Sequence, residues 1–171
     1  MRSASIRSAT LSDIGSILAN IQSVANERVY LATEIVGEDS RKPLEKLISS
    51  DEDSLVLVAE IQENDFSKIV GSLTLAKLNW KESAHVRFLG MQIQTGYRGM
   101  GTGSALMDAA LKWAREHPSV EKGILGVFSS NEQAIRLYSK CGFQVEGIAR
   151  KQFFNNCNYV DEVSMGLFVK P

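Results

Sequence analysis

The sequence predicts a mixed α/β domain in which a central, mostly antiparallel sheet is flanked by helices. Several short segments are rich in β-forming residues, and pairs of them are separated by a few turn-forming residues, as in antiparallel hairpins. Other segments space their apolar residues three and four positions apart, as amphipathic helices do. A strand, a glycine-rich turn and a helix follow one another over residues 87–113, and 171 residues are enough for one such domain.

The first predicted elements are a short strand and two helices. We expect the strand over residues 4–7 and a helix after Thr10, which together with Asp13 resembles an N-terminal capping pair. A second helix is expected after Ser40, with Pro43 in its first turn, where an amide is not needed. The apolar residues that would face inward are Ile14, Ile17, Leu18, Ile21, Leu44, Leu47 and Ile48.

Three strands are predicted before the glycine-rich turn. Residues 54–61 and 69–78 are rich in β-forming residues and are separated by Asn64 and Asp65, which predicts an antiparallel hairpin. A third strand is expected over residues 85–94. The sequence therefore predicts three adjacent antiparallel strands that lead directly into the turn.

A further strand and helix are predicted in the second half of the chain. Residues 122–128 are short and apolar, as a buried central strand should be. Ser130 and Gln133 have the spacing of a capping box, and Gly142 suits the C-terminal end of the helix that would follow. Its inward face would carry Ala134, Leu137, Tyr138 and Cys141.

A final pair of strands is predicted at the C-terminal end. Residues 144–153 and 159–169 are separated by Asn155–Asn156, a turn-prone dipeptide. The chain shows no internal repeat, no low-complexity segment and no linker. We therefore expect one domain over residues 1–171.

The glycine-rich turn, residues 94–104, is the strongest functional signal. Glycines at 99, 101 and 103 remove side chains where the chain enters a helix, so that consecutive backbone N–H groups can converge on one point. These groups lie at the positive end of the helix dipole, which favours a phosphate or a diphosphate. Arg98 would add a positive charge beside them. The pattern predicts a phosphate-bearing cofactor, while this loop alone leaves a ligand-free glycine-rich connection open.

Two other phosphate-binding loops do not fit the sequence. A P-loop requires a Lys where this chain has Thr102. A dinucleotide-binding turn requires a third glycine where this chain has Ser104, and an acidic residue downstream where residues 123–124 are Gly and Ile. The sequence therefore disfavours a P-loop nucleotide site and a dehydrogenase.

Two motifs resemble those of one known family. Residues 98–103, Arg-Gly-Met-Gly-Thr-Gly, match the Arg/Gln-x-x-Gly-x-Gly/Ala diphosphate motif of the GNAT superfamily of acyl-CoA-dependent N-acyltransferases. Residues 131–143 resemble that family's second motif, Asn-x-x-Ala-x-x-Leu-Tyr-x-x-x-Gly-Phe. Two motifs in this order are far more specific than either one, and the resemblance extends over nearly the whole chain.

The resemblance implies the GNAT fold, with acetyl-CoA as the acyl donor. In that family the strand before the turn parts from its neighbour, and its free backbone groups pair with the pantetheine arm and the thioester. An N–H group there would steady the carbonyl oxygen as it gains charge. The residues that inherit cofactor binding are Met91, Gln92, Ile93, Arg98, Gly99, Met100, Gly101, Thr102, Gly103, Ser104 and Asn131.

Tyr138 matches the family's general acid and is the predicted catalytic residue. A phenol, whose pKa is ordinarily near 10, would donate a proton or a hydrogen bond to the departing thiolate. From the residues alone, Tyr138 fits a half-buried aromatic on an amphipathic helix. Asn131 likewise fits a helix-start residue that satisfies local N–H groups.

The general base is the point at which this chain departs from the family. Many relatives have His-x-x-Glu-Leu-Gly before the turn, whereas residues 85–90 read His-Val-Arg-Phe-Leu-Gly, with Phe88 in place of the carboxylate. The base is left open among Glu34, His85 and an ordered water near Gln92, and an acceptor that arrives unprotonated would need none.

The composition limits the partners. A formal net charge of -1 and a pI near 6.1 give no long-range attraction to nucleic acid or to an anionic membrane. Cys141 and Cys157 have neither disulfide-framework nor metal-ligand spacing, so no metal is expected. Residues 1–11 do not show a charged n-region followed by an apolar h-region, and no apolar run approaches about 20 residues, so we expect a cytoplasmic protein. Homodimerisation stays open, because the sequence shows no distinct interface patch.

The sequence thus predicts an N-acetyltransferase that transfers an acetyl group from acetyl-CoA to a primary amine of a small molecule, such as an amino acid or a polyamine. Transfer would be direct, in a ternary complex. In this family the segment that contains Glu34 and Glu38 overhangs the acceptor pocket, so the resemblance implies that they could attract a cationic acceptor, while either residue alone better fits a solvated charged loop. Two alternatives stay open: a peptide N-terminal acetyltransferase, and a non-catalytic acyl-CoA-binding sensor, which the absent carboxylate at Phe88 favours.

Overall fold

The computed structural model describes residues 4–30, 37–49, 52–63 and 66–170. The strands in this part of the chain are β1 (Ser5–Ser8), β2 (Leu55–Glu63), β3 (Phe66–Lys77), β4 (Val86–Ile93), β5 (Lys122–Phe128), β6 (Gln144–Asn155) and β7 (Asn158–Phe168). The α-helices are α1 (Ile14–Asn26), α2 (Arg41–Ser49), α3 (Thr102–Glu116) and α4 (Glu132–Lys140). Short 3-10 helices occupy Leu11–Asp13, Glu38–Ser40 and Lys81–Ser83.

The seven strands form one sheet in the order β1-β2-β3-β4-β5-β7-β6. Neighbouring strands run antiparallel, except that β4 and β5 run parallel and are connected through α3. Parallel neighbours need such a crossover, because a tight turn can join only antiparallel strands. The prediction of a mixed, mostly antiparallel sheet flanked by helices is confirmed.

Helices cover the two faces of the sheet. On one face, α3 and α4 contribute Leu106, Met107 and Tyr138 to a large buried cluster. On the other face, α1 and α2 pack Ile14, Ile17 and Leu44 against residues of β2 and β3. The sheet is therefore the middle of three layers, with helices on each side. A gap between two of its strands would connect the two faces.

The N-terminal capping pair is confirmed. The backbone N–H of Thr10 donates to Asp13 Oδ2 at 2.7 Å, at the start of the 3-10 turn that leads into α1. Arg7 donates to both oxygens of the same carboxylate, at 2.7 and 3.0 Å. These hydrogen bonds hold the pKa of Asp13 well below its usual range, despite its burial.

The capping box predicted for α4 is wrong. Asn131, not Ser130, is the N-cap residue, and its side-chain oxygen accepts from the N–H of Ala134 at 3.2 Å. Asn is among the preferred N-cap residues because its short side chain reaches the amide of N3. Gly142 follows the helix with a φ of 98°, a conformation that glycine adopts without strain.

The predicted strands are found with small shifts at their ends. The hairpin of β2 and β3 is confirmed, with β3 beginning at Phe66; Asn64 and Asp65 lie outside the described residues. The final turn lies at Asn156 and Cys157, both at positive φ, so β6 continues to Asn155.

Candidate active site

The gap between β4 and β5 is the central feature of the site. The two strands pair only from Val86–Lys122 to Phe88–Ile124. Beyond that point β4 stays on β3 as far as Ile93, while β5 stays on β7 as far as Phe128. The parallel strands therefore part in the middle of the sheet, and the predicted parting of β4 from its neighbour is observed.

The register of β3 and β4 determines which backbone groups face this gap. The N–H of Gln94 donates to the carbonyl of Val70 at 2.8 Å, so these two residues form a hydrogen-bonded pair. Hydrogen-bonded and non-bonded pairs alternate along an antiparallel ladder, so Gln92 and Ser72, two positions further along, are also a hydrogen-bonded pair. The N–H and C=O groups of Gln92 therefore point towards β3. Met91 and Ile93 instead direct their N–H and C=O groups to the side of the gap. Of the three predicted strand residues, these two therefore offer backbone groups there.

The glycine-rich turn lies at the end of β4. Gly99 and Gly101 have φ values of 73° and 86°, in the left-handed region that favours glycine. The first hydrogen bond into α3 runs from the N–H of Ala105 to Gly101 O at 3.0 Å. The four amides from Gly101 to Ser104 precede it and have no intrahelical acceptor. They lie at the positive end of a 15-residue helix, which favours an anionic group.

Gly103 has a different role, because it permits close packing. A Cβ atom at this position would lie 3.0 Å from Leu137 Cδ2 and 3.2 Å from Ile93 Cδ1. The absence of a side chain thus brings the start of α3 close to α4 and to the end of β4.

Arg98 lies beside the turn and lines the cavity, but its charge is paired, which the sequence did not predict. Its two terminal nitrogens each donate to a carboxylate oxygen of Glu27 at 2.7 Å, and its Nε donates to the carbonyl of Ile93 at 2.8 Å. Its guanidinium also lies 4.8 Å from the ring centroid of Tyr30. Arg98 and then Thr95 hold the pKa of Glu27 below its usual range by hydrogen bonding. The Arg98 charge is therefore largely balanced, and the residue ties the turn to the end of α1.

Tyr138 projects from α4 into the buried layer between the helices and the sheet. It is 6% exposed and packs near Phe143, with ring centroids 6.0 Å apart. Burial raises the pKa of Tyr138 to about 12, so its phenol stays protonated at neutral pH. Within the described residues no hydrogen-bond partner of its hydroxyl is found. The proton of this hydroxyl is thus available to an acceptor that enters the site.

One cavity of about 710 Å³ connects these features. Predicted site residues that line it are Met91, Gln92, Ile93, Arg98, Gly99, Gly101, Gly103, Ser104, Asn131 and Tyr138. Met100 and Thr102 are not among the lining residues; Met100 is 64% exposed and Thr102 is buried at the start of α3. The structure therefore brings ten of the predicted residues to one site.

Other lining residues are not predicted by the sequence. Phe128, Phe153 and Glu162 come from β5, β6 and β7, and Arg136 and Lys140 come from α4. The strand residues carry no local motif, so their common position follows only from the pairing of β5, β6 and β7. Arg136 and Lys140 are four residues apart and share a face of α4, but each is two residues from Tyr138, so helical spacing does not predict that all three line one cavity.

The structure also bears on the candidate bases. Phe88 lines the cavity and is 44% exposed, so an apolar ring stands where many relatives have a carboxylate. His85 is not among the lining residues; its carbonyl accepts hydrogen bonds from the amides of residues 121–122, at the opposite end of β4. Glu34 and the side chain of Glu38 lie outside the described residues.

Two features are absent from the described residues. No group of three or more His, Cys, Asp or Glu side chains in this part of the chain is arranged to hold a metal ion. No helix there is both long enough and apolar enough to cross a membrane.

Comparison with known proteins identifies relatives. A stretch of 97 residues is 32% identical to the L-amino acid N-acetyltransferase AaaT of Escherichia coli and covers 57% of this chain and 60% of that protein. A stretch of 106 residues is 29% identical to the spermidine N(1)-acetyltransferase of Vibrio cholerae and covers 61% of this chain and 57% of that protein. The matches thus span less than two thirds of the length of either relative.

A solved structure and a family model complete the comparison. One similar structure is the crystal structure of a GNAT superfamily phosphinothricin acetyltransferase from Sinorhizobium meliloti in complex with AcCoA. Its TM-score to this chain is 0.85 at 17% identity, and the match covers 97% of this chain and 88% of that chain. This likeness shows the fold. The model of the acetyltransferase (GNAT) family matches residues 21–143, well over half of the sequence. This chain therefore belongs to the GNAT family of acetyltransferases.

Proposed function

We propose that this chain is an acetyl-CoA-dependent N-acetyltransferase that acts on a primary amine of a small molecule, by direct transfer in a ternary complex. One observation carries the proposal: the gap between β4 and β5 opens beside the helix-start amides of α3 and is lined by Tyr138. Membership of the acetyltransferase (GNAT) family supports it.

The residues present fit the diphosphate of acetyl-CoA. The amides from Gly101 to Ser104 offer donors without intrahelical acceptors, and Gly99 and Gly101 keep the approach to them free of side chains. Lys140 adds a cationic side chain along the cavity, and Arg136, which pairs with Glu132, lines it as well. AcCoA is bound on the same fold in the S. meliloti structure, which supports the same donor here.

Acetyl-CoA would supply an acetyl group activated as a thioester. Met91 and Ile93 direct backbone groups into the gap, and an N–H there would donate to the thioester oxygen as it gains charge. Only the N–H groups can donate to this oxygen, and the carbonyl of Ile93 accepts instead from Arg98 Nε. The chain thus contributes a positioned donor for the carbonyl and a separate donor for the sulfur.

Tyr138 is the proposed donor to the sulfur. Because its pKa is raised to about 12, its phenol is a weaker acid than an ordinary thiol, whose pKa is near 8.5. A full proton transfer is therefore uphill, and a hydrogen bond that stabilises the charge on the departing sulfur is the larger effect. The proton would pass late, once the C–S bond has broken, and would be replaced from the acceptor nitrogen or from solvent.

The proposed acceptor class is supported by the relatives. Those named above are an L-amino acid N-acetyltransferase and a spermidine N(1)-acetyltransferase, whose substrates both carry primary amines. A small amine is therefore the proposed acceptor, and an N-terminal peptide is the competing one.

Calorimetry and a turnover assay together test the proposal. Titration of the full chain with acetyl-CoA should give one saturable site, and a panel of amines, amino acids, polyamines and short peptides should release free CoA with at least one acceptor. Absence of acetyl-CoA binding would overturn the proposal. Preference for peptides over free amines would replace the small-molecule acceptor with a protein N-terminus.

A second candidate is a non-catalytic acyl-CoA-binding domain. It is favoured by Phe88, which places a ring where many relatives have the proton-accepting carboxylate. This candidate predicts saturable acetyl-CoA binding without CoA release for any acceptor. Turnover of one amine would exclude it.

A further inference from the structure

The carboxylate of Glu162 has an unusual position at the cavity. Glu162 lies on β7 directly opposite Phe128, near the end of β5. It is the one acidic side chain among the described residues that line the cavity, and the structure gives its carboxylate no hydrogen bond or ion pair within the described residues. A carboxylate without a partner at the wall of a cavity is suited to a cationic ligand group.

Gly126 makes this position accessible. A Cβ atom at residue 126 would overlap the Glu162 carboxylate and lie 3.1 Å from its Cδ atom. The side chain of Glu162 therefore lies across β5, over Gly126. Gly126 is two residues beyond Ile124, where the pairing of β5 with β4 ends. Since Ile124 is the last residue of β5 paired with β4, the carboxylate stands at the opening of the gap.

Aromatic rings surround the same part of the cavity. Phe88, Phe128 and Phe153 line it, and the rings of Phe128 and Phe153 lie 4.8 Å apart. Strand alternation turns Phe88 to the face opposite Leu89, which is buried under α3 and α4. Phe128 and Glu162 are paired across β5 and β7 and so share a face. One carboxylate and three aromatic rings thus line the cavity that opens where the strands part.

We propose that Glu162 binds the ammonium group of the acetyl acceptor and that Phe88, Phe128 and Phe153 hold an apolar, preferably aromatic, body attached to it. The chemical class is a monoamine, because the described lining offers a single carboxylate for a single positive charge. Aromatic faces add to the attraction for a cation and to the burial of the apolar body. The inference rests on the proposed function and names the acceptor class for that site.

The arrangement separates the two partners of the reaction. Tyr138 comes from α4 on one face of the sheet, whereas Glu162 lies with Phe128 on the other face, and the gap joins the two sides of one cavity. An amine held by Glu162 therefore points its nitrogen towards the gap. There it releases one proton to solvent before its lone pair attacks the acetyl carbon. The C–N bond forms, the C–S bond breaks, and the nitrogen loses its second proton, which balances the proton that the thiolate receives from Tyr138 or from solvent.

Direct binding measurements on the full chain provide the first test. The probes are 2-phenylethylamine, its uncharged analogue 2-phenylethanol, and ethylamine, each titrated by calorimetry with and without saturating CoA. We expect 2-phenylethylamine to bind at least about 10-fold more tightly than either comparator, since a charge-assisted hydrogen bond contributes more than a neutral one. Equal affinity for the alcohol, or no binding of the amine in either condition, would overturn the inference.

Three variants provide the second test. Glu162→Gln keeps the size of the side chain but removes its charge, and Gly126→Ala displaces the carboxylate without a positive φ at this residue. Both should weaken 2-phenylethylamine binding by about 10- to 100-fold, and in turnover should raise the amine KM more than they lower kcat. Glu146→Gln is the matched control, because Glu146 also lies over a glycine, Gly166, but pairs with Lys122 away from the cavity.

The two proposals fail in distinguishable ways. If acetyl-CoA binds and amines are turned over, but Glu162→Gln and Gly126→Ala bind 2-phenylethylamine like the unmodified chain, the acceptor inference is wrong and the proposed function stands. If acetyl-CoA does not bind, the proposed function fails, while the amine titration without CoA still reports on Glu162.

Discussion

Both carboxylate oxygens of Glu27 accept a hydrogen bond from Arg98, each at 2.7 Å, and the two residues are 71 positions apart in the chain. Glu27 follows the last residue of α1, and Arg98 lies in the glycine-rich turn. The pair therefore fixes the position of the turn relative to the helix layer on one face of the sheet. It also balances the charge that the sequence places beside the proposed diphosphate site.

Replacing Glu27 tests this connection. Glu27→Gln should lower the free energy of unfolding by about 1 kcal/mol, because the pair is bidentate but partly exposed to solvent. That loss corresponds to a decrease in Tm of about 2–4 °C for a chain of this size. Glu132→Gln, which removes a more exposed pair with Arg136 on α4, is the control and should change Tm less. Equal decreases in Tm for the two variants would contradict the conclusion that the pair of Glu27 and Arg98 fixes the position of the turn.

Removing the Tyr138 hydroxyl should affect turnover and not donor binding. We expect Tyr138→Phe to lower kcat by about 100-fold or more, while the Kd for acetyl-CoA changes little. Steady-state kinetics and calorimetry measure the two quantities, and Tyr159→Phe, an exposed ring beside Phe154, is the control. An unchanged kcat would remove Tyr138 from the mechanism.

The raised pKa of Tyr138 gives a separate expectation for pH. Because burial raises this pKa to about 12, the phenol should remain protonated throughout the usual range of assays. The kcat of the unmodified chain should therefore show no fall attributable to Tyr138 up to about pH 10. The expectation would be contradicted if kcat fell with an apparent pKa below about 10 and this fall were absent in Tyr138→Phe. The phenol would then ionise at a lower pH than its burial implies.

Two glycines provide a matched comparison of backbone strain. A Cβ atom at Gly15 or at Gly101 would meet nothing within 4 Å, so neither substitution creates a clash. Gly101 has a φ of 86°, and Gly101→Ala should cost about 1 kcal/mol of stability and weaken acetyl-CoA binding. Gly15 lies inside α1, and Gly15→Ala should stabilise the protein by about 0.5–1 kcal/mol. Urea unfolding measures both, and changes of the same sign would refute the comparison.

The stability of the protein in acid should depend on Asp13. Its pKa is depressed in the folded state by hydrogen bonds from Arg7 and Thr10, relative to about 3.9 in an unfolded chain. A depressed pKa contributes stability that is fully present at neutral pH and is lost as the pH falls below about 5. Asp13→Asn should therefore be less stable at pH 7 by about 2 kcal/mol and should lose less stability between about pH 5 and pH 2.

Unfolding by urea at several pH values checks this expectation. Glu45→Gln is the control, because it removes a carboxylate that pairs with Arg41 on the surface of α2. Parallel pH profiles for Asp13→Asn and the unmodified chain would contradict the role given to Asp13.

Local patterns were sufficient for most of the fold. The capping pair of Thr10 and Asp13, the apolar run of residues 122–128 and the glycines of the turn each act within a few residues, so their spacing in the sequence predicts the element they form. The start of α4 was predicted one residue too early, since Ser130 and Asn131 are both good N-cap residues and spacing alone does not decide between them.

The sequence by itself determined the elements, the turn with its unpaired amides and the motif that contains Tyr138, because all of these depend on neighbours along the chain. Only the tertiary structure decided how Arg98 is neutralised by Glu27 and how Glu162 lies across Gly126, because these contacts join segments far apart in sequence. The physical reason is the pairing of strands: the parting of β4 from β5 and the register of β5 with β7 place side chains together that no local spacing relates.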